Sequence, residues 1–385
     1  MSQLTMFRTT KENVIGPGSI QGIGERIRAR GCKKPCIVTD PGLVESGIVE
    51  RIEKLLRDSG LESARFDQVE ADPKYEIVNK VTAFLTENKA DLVIGLGGGS
   101  SLDIAKISAA MVANQGNVEE YFGIELLARK GLDLILVPTT AGTGSEVTPI
   151  VILSDEKNKL KKGIVSSHLF PDLAILDPEL TLGLPPQVTA ATGMDALIHA
   201  LEAYTSVNAV PMTDMFATRA ITMIADNLRT AYANGGNLQA RSGMLEGSML
   251  AGVAFANAGV TAVHAFAYPI GAEFHIPHGV ANTIMLIPVM EFNTVGNLDR
   301  FARLAGYLGQ NTEGLNKRQA AASAVQAVRD LAEDLQVPSR LRDYGVQEND
   351  ISALAQGVMQ VTRLLANNPR KLQLQDAEEI YRRAL

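Results

Sequence analysis

Apolar residues change their rhythm near residue 185 of this chain. Before that point, short β-branched or aliphatic runs (CIVTD at 36–40, DLVIGLGGG at 91–99, LDLILVP at 132–138, LAILD at 173–177) alternate with stretches of helical spacing such as 45–59 and 76–89. Strands that are apolar along their whole length, separated by helices, predict a parallel sheet with crossover connections. After residue 185 the strand signals almost vanish. Segments 189–206, 212–233, 238–257, 317–335 and 350–367 place apolar side chains at every third or fourth position, with Ala, Met and Leu abundant, and so predict helices. Pro185-Pro186 would stop a helix and stiffen a connection, so the boundary is set there. The expected fold is an α/β N-terminal nucleotide-binding domain over residues 1–185 and an all-α C-terminal domain over 186–385. A length of 385 residues suits two domains, each able to bury a core.

Composition narrows the function classes. With 46% hydrophobic and 21% charged residues the chain reads as globular. A net charge of −7 argues against nucleic acid or an anionic membrane surface as a partner, and no basic stripe offsets it. The start, MSQLTMFRTTKENV, has no apolar run behind a basic segment, and no run of about 20 apolar residues follows, so a cytoplasmic protein is expected. Cys32 and Cys36 are too few for a disulfide framework or a zinc cluster and are read as free thiols.

Candidate chemistry begins with GLGGGSSLDIAK at 95–106, which follows an apolar run and leads into a helix-compatible stretch. Gly97, Gly98 and Gly99 would let the backbone approach a ligand while N–H groups of the new helix face a phosphate, although a glycine-rich strand-to-helix turn can also be purely structural. Asp40 ends the strand-like run CIVTD. A carboxylate there can accept from a ribose diol and repel a 2′-phosphate, favouring NAD over NADP, or it can cap the next helix at the Pro41-Gly42 turn. The loop VPTTAGTGSEVTPI at 137–150 offers the hydroxyls of Thr139, Thr140, Thr143 and Ser145 at the end of a strand, where open α/β sheets bind ligands.

The densest signal is a set of four residues. Asp195 and His199 lie four apart in GMDALIHALEAY, and His264 and His278 follow in VHAFAYPIGAEFHIPHGVAN. Residues at i and i+4 of a helix stack on one face, so one carboxylate and three imidazoles can close on a single metal ion. A buried Asp paired with a core His would look the same over the first five residues; the two further histidines, in a chain with five, favour a metal.

Together GGGSSLDIAK, PTTAGTGSE, the Asp195/His199 helix, VHAFAYPIG and HIPHGVAN resemble the iron-containing (group III) alcohol dehydrogenases, the family of lactaldehyde reductase and 1,3-propanediol dehydrogenase. The resemblance covers nearly the whole chain. It implies a dehydroquinate synthase-like fold, with a cleft between the two domains where NAD meets a metal-bound alcohol. It also implies that Asp195, His199, His264 and His278 are ligands to Fe2+, with Zn2+ possible. Asp40, Gly97, Gly98, Ser100, Asp103, Thr139, Thr140 and Ser145 fall on the family's cofactor positions. Lys161, in LKKGIVSSH, resembles the family lysine near the nicotinamide ribose, with Lys162 as the competing register.

The chain departs from the pattern at Tyr268, where the family often carries a second histidine in His-x-x-x-His. Standing four residues after His264, the Tyr268 ring is expected beside the nicotinamide. His275 is an extra imidazole where Asp or Asn is expected; it either compensates for that loss or is exposed. The expected function is NAD(H)-linked, metal-dependent interconversion of a small alcohol and its aldehyde or ketone by a homo-oligomer. A zinc-dependent polyol or hydroxy-acid dehydrogenase on the same scaffold and a non-catalytic nucleotide-binding protein are the alternatives.

Overall fold

The computed structural model describes residues 5–155 and 160–385 and divides into two compact units. One comprises Arg8–Thr140 and Gly144–Gly183 among the described residues; the other comprises Leu184–Leu385 with Ala141–Thr143 and Thr5–Phe7.

The first unit is built on a six-stranded, wholly parallel sheet. Its strands are β1 (Asn13–Ile15), β2 (Pro35–Val38), β3 (Ala64–Phe66), β4 (Leu92–Gly97), β6 (Asp133–Pro138) and β9 (Leu173–Leu176), in the order β1-β9-β6-β4-β2-β3. The alternation of side chains explains why its inner strands β9, β6, β4 and β2 read as apolar runs, unlike the three-residue edge strands β1 and β3. Val93, Leu134 and Leu136 enter one core with Val78, Val81 and Leu102, whereas Leu92, Ile94, Ile135 and Val137 enter another with Ile23, Ile27, Val49 and Ile52. A strand covered on both faces needs apolar residues at every position. The helices supplying these partners are α1 (Ile23–Ala29), α3 (Ile48–Asp58), α4 (Ile77–Glu87) and α5 (Gly99–Met111), with the short α2 (Pro41–Glu45) between β2 and α3.

A second sheet was not foreseen. It joins β5 (Gly123–Ile124), β7 (Ile150–Asp155) and β8 (Leu160–Val165) in the order β5-β8-β7, with β7 and β8 antiparallel. Strand β2 is also shorter than the run CIVTD, ending at Val38 so that Asp40 becomes the N-cap of α2.

The second unit is helical: α6 (Pro186–Thr205), α7 (Pro211–Ala233), α8 (Leu238–Ala258), α9 (Ala262–Phe274), α10 (His278–Thr294), α11 (Leu298–Tyr307), α12 (Lys317–Asp334), α13 (Ile351–Gln360), α14 (Thr362–Leu365) and α15 (Leu374–Ala384). Helix α6 packs against α7, α8 and α10, which leaves its residues from Gly193 to Thr205 buried. Pro186 opens α6 at the first helical position, where a missing N–H costs nothing. The helix expected over 350–367 is interrupted at Val361, whose φ −82° and ψ 49° separate α13 from α14. No single helix among the described residues is long and apolar enough to cross a membrane.

Candidate functional site

In the α/β unit the chain runs from β2 outward to β3, then returns across β2 to β4, β6 and β9. The order in which strands are added therefore reverses between β2 and β4, and ligands of open α/β sheets bind beyond the carboxyl ends of strands at such a point. Asp40 and the glycine turn occupy those ends. Asp40 Oδ1 accepts from Leu43 N at 3.2 Å, and Oδ2 accepts from Ser101 Oγ at 3.2 Å. Gly97 has φ +146°, and a Cβ there would stand 2.7 Å from Ser101 Cβ, so only glycine turns the chain at this point. No side chain caps α5, and Gly98, Gly99 and Ser100 at its start are partly exposed. Uncapped N–H groups at the positive end of a helix dipole form an anion site. The end of β6 adds Thr139, whose N–H donates to Gly97 O at 3.0 Å, and Thr140, whose Oγ1 would meet a Cβ on Gly98 at 3.5 Å.

Two other expected cofactor residues bind each other. Ser145 Oγ donates to Asp103 Oδ1 at 2.6 Å, and Asp103 Oδ2 accepts from Ile152 N at 2.9 Å. Beneath them lies Lys106, 1% exposed, which pairs with Asp103 at 3.0 Å and donates to Ser145 O and Ile150 O. Burial pushes the Lys106 ammonium down, against the pull of Asp103 and Glu146. Glu146 is buried beside it, and burial pushes its carboxyl up to about 7 despite Lys106. This inner cluster fixes the 137–150 loop from below. Lys161 forms an ion pair with Asp72 at 2.6 Å, whereas Lys162, on the opposite side of β8, pairs with Asp155 at 2.7 Å.

In the helical unit, Asp195 and His199 lie one turn apart on α6, His264 is in the first turn of α9, and His278 opens α10. Gly259, at φ +79°, ends α8 and lets the chain turn into α9; a Cβ there would strike Asn367 Nδ2 at 2.4 Å. Asp195 Oδ1 lies 3.8 Å from His264 Nε2 and 3.9 Å from His278 Nε2. Donor atoms of Asp195, His199 and His264 all lie within 4.8 Å of one another. The rings form a column, Phe255 on His199 at 4.3 Å and His199 on His264 at 4.7 Å, that continues to His278 at 5.4 Å.

Hydrogen-bond partners set the protonation of two of these rings. His199 Nδ1 lies 3.3 Å from Gly142 O, an acceptor only, so Nδ1 carries the proton and Nε2 keeps a lone pair. Burial pushes His199 down to about 4, which keeps the ring neutral at pH 7. His264 Nδ1 meets Glu202 Oε2 in a short buried contact, leaving its Nε2 lone pair toward Asp195. Burial would raise the Glu202 carboxyl, but His264, Thr261 and Val263 together hold it below the usual range. Asp195 is likewise held low, because His199, His278, His264 and Asn282 outweigh its burial. A carboxylate amid three imidazoles, with one ring nitrogen of two of them tied to an acceptor, is a donor set that could hold a divalent transition metal.

A family model for iron-containing alcohol dehydrogenase matches residues 10–178, and one for the C-terminal part of the Fe-containing alcohol dehydrogenase family matches residues 189–385. Long-chain-alcohol dehydrogenase 1 of Geobacillus thermodenitrificans is 42% identical over 373 residues, covering 96% of this chain and 94% of that protein. The crystal structure of a 1,3-propanediol oxidoreductase superposes with TM-score 0.97 at 40% identity, over 100% of both chains. The chain belongs to the iron-containing alcohol dehydrogenase family. It is an oxidoreductase that interconverts an alcohol and its carbonyl partner with a nicotinamide cofactor. A solved sulfoacetaldehyde reductase from Bifidobacterium kashiwanohense in complex with NAD+ has the same fold, with TM-score 0.88, 29% identity, and coverage of 100% of this chain and 99% of that one.

Motif reading of the enzyme passed over three residues that the structure brings into these sites. Glu202 holds His264, Asn282 Nδ2 lies 2.7 Å from Asp195 Oδ1, and Lys106 anchors the loop at Ser145. Spacing carried a signal for two of them: Asp195, His199 and Glu202 fall at i, i+4 and i+7 of α6, and His278 and Asn282 at i and i+4 of α10. Tyr268 is half-buried on α9, its ring centre 6.3 Å from that of His278. His275 is exposed and takes φ +54° as the left-handed residue that ends α9, a position that Asn and Gly also favour.

Proposed function

We propose that the enzyme reduces small aldehydes or ketones, and oxidises the matching alcohols, with NAD(H) as hydride carrier and one divalent ion held by Asp195, His199, His264 and His278. The observation that carries this reading is the convergence of donor atoms from the buried Asp195, His199 and His264, with Nδ1 of His199 at Gly142 O and Nδ1 of His264 at Glu202. An ion bound there supplies a Lewis acid to a substrate oxygen. Asp195 contributes one negative charge and the imidazoles contribute none while neutral, so the ligand set leaves a formal charge of about +1 on a divalent ion. Imidazole and carboxylate ligands suit Fe2+ and Zn2+ alike, and membership of the iron-containing family favours Fe2+.

The turn at Gly97–Ser100 and the Asp40 carboxylate support a nucleotide at the carboxyl ends of β2 and β4, with the pyrophosphate at the start of α5 and Asp40 against the ribose diol. Asp40→Gly is expected to narrow or invert the NAD/NADP preference, by roughly 1–3 kcal/mol, because it removes both the diol contact and the repulsion of a 2′-phosphate. Because Asp40 also caps α2, thermal unfolding of the variant would be measured beside the two kcat/KM values. An unchanged cofactor ratio would return Asp40 to capping alone.

Tyr268 beside His278 supports a packing role at the substrate or cofactor. Tyr268→Phe should keep kcat within a few-fold while Tyr268→Ala raises KM. A fall in kcat of about 100-fold in Tyr268→Phe, with metal retained, would instead give the hydroxyl a part in proton transfer.

The reaction itself is tested by an NADH-oxidation screen over aldehydes of graded length and polarity, with Fe2+ and Zn2+ supplied separately. Turnover of short aldehydes that depends on added metal is the expected result. Metal-independent turnover, or none with either ion, would contradict the reading.

A further inference from the structure

Asn282 is fully buried on α10, one turn after His278, and its side-chain nitrogen touches three of the four proposed ligands. Nδ2 lies 2.7 Å from Asp195 Oδ1, 3.2 Å from His264 Nε2 and 3.2 Å from His278 Nε2. Its Oδ1 is buried and has no hydrogen-bond partner among the described residues. One amide nitrogen with two hydrogens thus serves three acceptors while the other end of the same group is left unsatisfied. That arrangement is explicable if the amide is placed for the sake of those acceptors.

The same lone pairs are the ones a cation would take. A carboxylate oxygen has a second lone pair and can keep its N–H donor while it binds an ion. A neutral imidazole cannot, because Nε2 has a single lone pair and either accepts a hydrogen bond or ligates. We infer that Asn282 sets the metal affinity of the site by competition: its amide holds His264 and His278 toward Asp195, and metal entry must break both of its imidazole contacts. This rests on the reading of Asp195, His199, His264 and His278 as the ligands. Asn282 is a positioning residue, acting on the ligands and not on substrate.

The test is the Zn2+ dissociation constant of wild type and Asn282→Ala, measured by competition with a chromophoric chelator. Losing the competitor should tighten binding about 10-fold, the equivalent of about 1.4 kcal/mol. Removing a residue that only holds the fold is expected to leave binding unchanged or weaker, so either result in the folded variant would overturn the inference. Crystal structures of the wild type with and without Zn2+ keep the question decidable if the variant does not fold. Nδ2 should lie beyond 3.5 Å of both Nε2 atoms when Zn2+ is bound, and retention of either contact would overturn the inference. Wild-type protein that bound no Zn2+ would remove the metal site as well, which separates the two failures.

Discussion

Replacing His264 by alanine is expected to abolish metal binding and activity together, with kcat/KM falling by roughly 10²–10⁴-fold, since several kcal/mol of Lewis-acid stabilisation disappear at about 1.4 kcal/mol per decade. His264 is a proposed ligand held firmly by the fold. Its ring is 2% exposed, stacked on His199, and held through Nδ1 by a carboxylate that is itself saturated with donors. Metal per chain by elemental analysis, kcat/KM for an aldehyde, and circular dichroism on the same preparation would check it. If the variant held stoichiometric metal and turned over normally, the ligand set would be wrong.

Glu202→Gln should weaken metal binding by about 10–100-fold although Glu202 is not one of the proposed ligands. Glu202 Oε1 accepts from Thr261 N at 3.0 Å, Thr261 Oγ1 at 2.6 Å and Val263 N at 2.8 Å. Three donors there select the oxygen of the new amide, which turns its NH2 toward His264. Nδ1 must then become the acceptor, so the proton moves to Nε2 and blocks the lone pair facing Asp195. The change is one of tautomer, and it should be offset by excess metal: kcat at saturating Zn2+ or Fe2+ recovers much further than kcat at stoichiometric metal. Equal metal affinity in Glu202→Gln and wild type would show that the carboxylate holds the start of α9 and nothing more.

How much of this was legible in the sequence follows from where each signal is local. Strands β2, β4, β6 and β9 were visible because both their faces are covered, which forces apolar runs such as LVIGLG and LILV, whereas the edge strands β1 and β3, three residues each and partly exposed, were not. The sheet formed by β5, β7 and β8 was hidden, because its strands carry polar and charged residues, Ser154, Asp155, Lys161 and Lys162, among short apolar ones. Asp195 and His199 could be paired from spacing alone, since a helix fixes what i and i+4 share. That His264 and His278 join them depends on how α9 and α10 pack on α6, so the sequence offered it only through the clustering of scarce histidines and through motif resemblance. Glu202 and Asn282 escaped for a different reason: a lone Glu or Asn in a helix is usually solvated, and only tertiary packing turned these two inward. Asp40 was read as either a cap or a ribose contact. It does cap α2, and its second oxygen faces Ser101 at the start of α5, so capping leaves the ribose reading open.

The central claim is that one ion sits where Asp195, His199, His264 and His278 converge, and anomalous diffraction from crystals grown with Fe2+ tests it most directly. The account predicts a single iron-edge peak per chain, within bonding distance, about 2.0–2.2 Å, of an Asp195 carboxylate oxygen and of one nitrogen from each of the three imidazoles. A peak at any other group of side chains, or full aldehyde reduction by protein from which elemental analysis recovers no metal, would contradict it.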